Sequence, residues 1–187
     1  MDASNVDVAI TGAIYRAPVG TTVPTTPTAS LGFAWEELGF IGDGGLTEAP
    51  NDTTKEIKAW QNGTTVRRLI TGFTYNWSFT AIEQNGVVLE TYHKGSTMAS
   101  AGGVQTLEVL APNSQRWMFL FDVVDGDKHE RIVLQDAEVT ERGQVVYKND
   151  EAIGFPITIT SYPVENGAGE PVVAIKMSDD IAWAAVS

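Results

Sequence analysis

Two histidines, His93 and His129, are the side chains of this chain best suited to carry a proton or ligate a metal near neutral pH. Neither stands at metal-ligand spacing from a second candidate, and a zinc site needs three or four converging ligands. Asp125–Gly126–Asp127 has the alternating acids of a calcium loop, but the bidentate Glu and the further ligand positions are missing. A hairpin turn is the simpler reading. Gly42–Asp43–Gly44–Gly45 has the glycines of a phosphate loop, yet no Gly–Lys–Ser/Thr follows and no helix pattern opens after it. There is no Gly–x–Ser–x–Gly elbow for a hydrolase nucleophile. The acids Glu36 and Glu37 are adjacent, which aims them in different directions. Nothing here converges on catalysis, so the chain is read as a non-enzyme with no cofactor and no metal.

The elements that would have to position such residues are mostly strands. In Phe73–Ala81, the residues Phe73, Tyr75, Trp77, Phe79 and Ala81 share one side, and Thr74, Asn76, Ser78 and Thr80 the other. That alternation is the mark of a half-buried strand, because successive side chains point to opposite faces. Trp117–Phe121 is a continuous apolar run, as in a strand buried on both faces. Asp125–Asp127 turns it into a returning strand over Lys128–Leu134. Strands are also expected at Val8–Tyr15, Val104–Leu110, Val145–Tyr147 and Ile153–Tyr162, where Pro156 suggests an edge position. Pro171–Lys176 and Ile181–Val186 form a last, weaker pair. One helix is expected after Asn85, which can cap its first turn, with Gly95 ending it. At about ten residues it must pack on a sheet to be stable.

Between these elements lie two irregular stretches. Thr21–Thr28 is a Thr/Pro run without core periodicity, which sets residues 1–30 apart as an N-terminal arm or linker, docked on a neighbour. Trp35–Glu56 carries six acids against Lys55 alone and reads as a flexible acidic loop. Residues 31–187 are then a single domain, mainly β, a sandwich or small barrel with one short flanking helix.

The chain has 187 residues, enough to bury roughly 70% of its unfolded surface in one core. It has no cysteine, as expected of folding in a reducing cytoplasm. No charged-then-apolar leader and no membrane-length apolar run is present, which predicts neither secretion nor a membrane partner. With 24 acids against 12 Lys and Arg the net charge is −12. That argues against a surface that grips phosphates, since nucleic-acid binding depends on clustered bases. It leaves room for DNA as a repelled cargo.

Of the five tryptophans, Trp77 and Trp117 lie in strong strand patterns and are expected in the core. Trp35, Trp60 and Trp183 lie near loops or ends and are candidate contact residues.

Four passages in order carry a resemblance. They are Leu38–Ile41 leading through Asp43–Glu48, then Lys55–Gly63 with Val66–Arg67, then Phe79–Glu83 running into Asn85, and Gly154–Pro163. Together they cover most of Leu38–Pro163, and the chain resembles the major tail proteins of long-tailed phages of actinobacteria. The resemblance implies a β-sandwich flanked by a helix and rings of six subunits whose inner strands close around a lumen. The rings stack through loops and arms into a tail tube. Partners would be further copies of the chain, the tape-measure protein inside the tube, tail terminator and distal tail proteins, and DNA in transit. The place would be the virion tail, assembled in the host cytoplasm. Leu38, Phe40 and Leu46 of the first passage join the three tryptophans as interface candidates. Glu130, Asp136 and Glu138, whose charges alternate with Ile132 and Val133–Leu134, are the expected lumen-facing acids. Only Glu165–Ser187 follows the last passage, too little for the extra immunoglobulin-like domain of some relatives. Two other readings compete. One is a glycan-binding sandwich that stacks sugars on exposed tryptophans. The other is a related ring-forming component, such as a distal, terminator or secretion-tube ring.

Overall fold

The computed structural model describes residues 6–180 and Trp183. Among these residues twelve strands and one helix follow in chain order. They are β1 (Thr11–Pro18), β2 (Glu36–Glu37), β3 (Thr47–Lys58), β4 (Thr65–Ala81), α1 (Gly86–Tyr92), β5 (Met98–Ala101), β6 (Val104–Leu107), β7 (Arg116–Asp125), β8 (Lys128–Arg142), β9 (Phe155–Ser161), β10 (Val164–Glu165), β11 (Pro171–Val172) and β12 (Ile175–Ser178). The mainly β class and the single helix agree with the sequence. Among the described residues no helix is long and apolar enough to cross a membrane.

Seven strands pair antiparallel in the order β2-β1-β7-β8-β9-β4-β3, and β12 joins β8 as an eighth. The 15-residue β8 is the hinge of this sheet. Its first half pairs with β7 and β12, and its second half with the start of β7 and with β9. The sheet thereby folds over itself. Trp77 of β4 stacks on Phe121 of β7 with ring centroids 5.4 Å apart, although two strands separate them in the pairing order. Phe79, Ile14, Ile132, Leu134, Val139, Ile157 and Ile159 close the space between the two layers. Trp77 is fully buried, and an aromatic side chain of that size contributes about 4–5 kcal/mol of gross hydrophobic stabilisation.

Asn85 caps α1 as its side chain predicts, its Oδ1 accepting from the Val88 N–H at 2.9 Å. Val88 and Tyr92 pack the helix against the end of the sandwich, where Tyr92 meets Phe155 edge-on at 5.4 Å. Arg16, only 2% exposed, fastens β1 to the same helix. Its guanidinium pairs with Glu90 at 2.7 Å and Glu36 at 3.0 Å, donates to Thr91 Oγ1, and lies over the Trp117 ring.

The Thr/Pro run packs along its own chain, and three expectations change. Val23 and Leu31 pack on the outer face of β7 and β8 with Trp35, Met118, Leu120 and Val133. The Arg131 guanidinium holds the run there through the carbonyls of Thr26 and Ala29. The acidic stretch is strand from Thr47 onward, because β4 supplies a partner for its whole length. Pro156 lies in an interior strand, since β9 runs between β8 and β4. This is tolerated because the Pro156 carbonyl accepts from Gly143, so its missing donor faces the chain just past the last β8 pair, Arg142↔Ile157. Val145–Tyr147 is not a strand. The expected strand at Ile181–Val186 lies, apart from Trp183, outside the described residues.

Candidate assembly surfaces

The strands β3 and β4 outrun the sandwich. From Asn51 to Thr74 no residue is buried. The β4–β9 pairing starts only at Tyr75, so the hairpin beyond it is flanked by no other strand among the described residues. Its turn follows from the dipeptide Asn62–Gly63, whose φ angles of 61° and 63° lie in the left-handed region that Asn tolerates and Gly adopts freely. Ten residues separate Glu48 from Lys58, so at about 3.3 Å per residue the tip stands about 33 Å from the root. Trp60 at the tip is 98% exposed, and Val66 and Ile70 are exposed along β4. Phe73, expected to face the core, is exposed because β4 has already left the sandwich there.

Beside the root lies a cleft of about 620 Å³ between β1 and residues 39–48, with Trp77, Phe121 and Ile132 at its floor. Gly39 shapes its wall. Its φ is +83°, and a Cβ there would fall 2.1 Å from Glu83 Oε2. Glu83 accepts from the Phe40 N–H, and Asn85 donates to the Leu38 carbonyl, so the loop holds Phe40 outward at 76% exposure. The Trp77 indole N–H, buried, has no hydrogen-bond partner among the described residues. Lys176 reaches across to Glu48 and over the Trp77 ring. Burial pushes the Glu130 carboxyl up, against Lys176, with Glu48 and Asp7 adding to the rise.

The outer face of the β8–β9–β4 layer carries short polar side chains. Ser78 and Thr158 share a hydrogen bond of 3.1 Å, Thr140 and Thr160 one of 2.8 Å, and Thr160 donates to Asn76 Oδ1 at 2.8 Å. Asp136 and Glu138 lie on this face, but Glu130 does not. Trp117 pairs with Ala137 and Phe119 with Leu134, so β8 carries one extra residue at a bulge. The bulge reverses the parity. Ile132 and Leu134 face the core before it, Ala137 and Val139 after it. Three acids with the same even spacing thus end on two faces. The pair on the outer face is also neutralised: Glu138 by Lys94 at 2.9 Å, Asp136 by Arg116 at 3.0 Å.

The six interface candidates divide likewise. Trp35 and Leu38 are buried in their own chain, Trp35 under the Thr/Pro run and Leu38 in the main core. Leu46 is partly buried against that core. Phe40, Trp60 and Trp183 are exposed. Neither histidine belongs to these surfaces. His93 ends α1 against Tyr92, and His129 hydrogen-bonds Asp179 at 3.0 Å. Sequence reasoning missed the hairpin, although Asn62–Gly63 between two extended runs was a usable signal.

The most exposed element of this β-sandwich is thus a projecting hairpin. The phage tail tube protein family matches residues 1–185, so the chain belongs to that family, which is one of structural phage tail proteins. The comparison with curated proteins returned no match.

Proposed function

We propose that this chain builds the tail tube of a long-tailed phage by forming closed rings, six copies each, that stack into a conduit for DNA. The observation that carries this reading is the hairpin. A 24-residue stretch without a buried side chain is costly to order in a free monomer and is explained by contacts between copies. The bare outer face of the β8–β9–β4 layer is the lumen wall in this reading. The opposite layer is covered by the Thr/Pro run, whereas this face presents hydroxyls, Asn76 and the paired acids Asp136 and Glu138. Its bases Lys94 and Arg116 are already engaged by acids, so passing phosphates find no free cation. The tape-measure protein would occupy the same lumen before ejection, and terminator and distal proteins would close the ends.

Electron microscopy of the purified protein, fresh and after concentration in moderate salt, tests this. Stacked rings or tubes of uniform diameter are the expected result. Single rings that never stack would move the assignment to a terminator or distal component. A persistent monomer whose tryptophan fluorescence shifts with oligosaccharide would replace it with a glycan-binding module.

A further inference from the structure

We infer that the hairpin tip of one copy inserts into the cleft between β1 and residues 39–48 of the next, with Trp60 and the Arg67–Arg68 pair as its anchors. The inference rests on the tube reading and names the contact that such a tube would use.

Charge is the first ground. Arg16, Lys94, Arg116, Lys128, Arg131, Lys148 and Lys176 all pair with acids of the same chain. Lys55, Lys58, Arg67 and Arg68 make no ion pair among the described residues, and all four stand on the hairpin against one acid, Glu56, between positions 55 and 68. The remaining base, Arg142, is engaged at Tyr92, donating to its carbonyl. A chain of net charge −12 has thus gathered its unpaired cations on one projecting element. The cleft is the converse. Glu37, Asp43, Glu48, Glu83, Asp122 and Glu130 line it with Lys176 as the single base. Glu37 and Asp43, exposed at its rim, make no ion pair among the described residues.

Shape is the second ground. Trp60, with almost no contact at home, is matched to the exposed Ile10 and Phe40 side chains that line the mouth of the cleft. One cleft wall is an open strand edge. β2 pairs only with Tyr15 and Arg16, and Leu38 donates to the Ile14 carbonyl, so Thr11–Ala13 have no strand on that side among the described residues. An incoming extended segment can add main-chain hydrogen bonds there. A hairpin some 30 Å long cannot turn back into the cleft at its own root, so the occupant is a second copy.

Three full-length variants test the contact: Arg67→Glu with Arg68→Glu, Glu37→Arg with Asp43→Arg, and all four changes together. Each pair alone should cut polymer yield in sedimentation about tenfold, while the combined variant recovers it, because opposite charges again face each other. Circular dichroism and thermal melting confirm that each variant folds. The native chain has no cysteine, so Trp60→Cys mixed with Phe40→Cys should also give a disulfide-linked dimer. Trp60→Cys mixed with Tyr147→Cys should not. Wild-type tubes together with a cleft variant that polymerises normally, or a combined variant that folds but does not recover, would overturn the contact and leave the tube reading standing. A wild-type chain that never assembles and gives no crosslink would overturn both.

Discussion

Arg16 shows how one side chain can decide whether a fold holds. Its guanidinium is almost completely removed from water, whereas Glu36 is half exposed. The acids can therefore recover hydration if the arginine is lost, but the arginine cannot if Glu90 is lost. Glu90→Ala should accordingly cost more, about 2–4 kcal/mol, than Arg16→Met at about 1–2 kcal/mol. Glu90 also accepts the Met98 N–H, which adds to the first figure. Urea denaturation of both variants checks the order, and a larger loss for Arg16→Met would show that the cation–π contact with Trp117 outweighs the ion pairs. Glu130 works in the opposite sense. Its pKa is raised by burial, so its charged form is disfavoured in the fold. That penalty is present above the raised folded value and vanishes below the unfolded one. Glu130→Gln should therefore raise Tm at pH 7, by about 1 °C once solvent screening is allowed for, and leave it unchanged near pH 4.

Among the elements, those with a local cause were legible in the sequence. β7 announces itself by Trp117–Phe121, the β7–β8 turn by Asp125–Gly126–Asp127, and α1 by the Asn85 cap and Gly95. What stayed hidden depends on a distant partner. β3 contains Glu48, Pro50 and Asp52, poor strand formers, and is extended because β4 lies along it. The β8 bulge has no composition of its own, and it alone moved Glu130 off the face of Asp136 and Glu138. The Thr/Pro run has no periodicity to show, since it is held by the buried Arg131 instead of by a pattern of its own. The hairpin also makes its own prediction. Lys55, Lys58, Arg67 and Arg68 are exposed tryptic sites, while most other bases are tied into ion pairs. Limited trypsin digestion of the free subunit should cut first between residues 55 and 68, and assembled material should resist there. Equal cutting in both states would mean that the hairpin stays outside the contacts.

As a whole molecule, the chain carries −12 charges, and a member of a tail tube family must still assemble with other chains. A contact between two different patches, basic on one and acidic on the other, answers that repulsion locally, and each added copy presents the same pair of patches again. Such a polymer grows by a donor and an acceptor at opposite poles. A copy without residues 54–67 keeps its cleft, its core and the fold of its sandwich, since no residue of that stretch is buried. It should bind one growing end and offer nothing to the next arrival. Mixed with the intact chain it should then shorten the tubes, as a monofunctional unit lowers the valence of a growing end. Shortening should steepen once its share leaves most rings short of several contacts, which length distributions measured against that share would show.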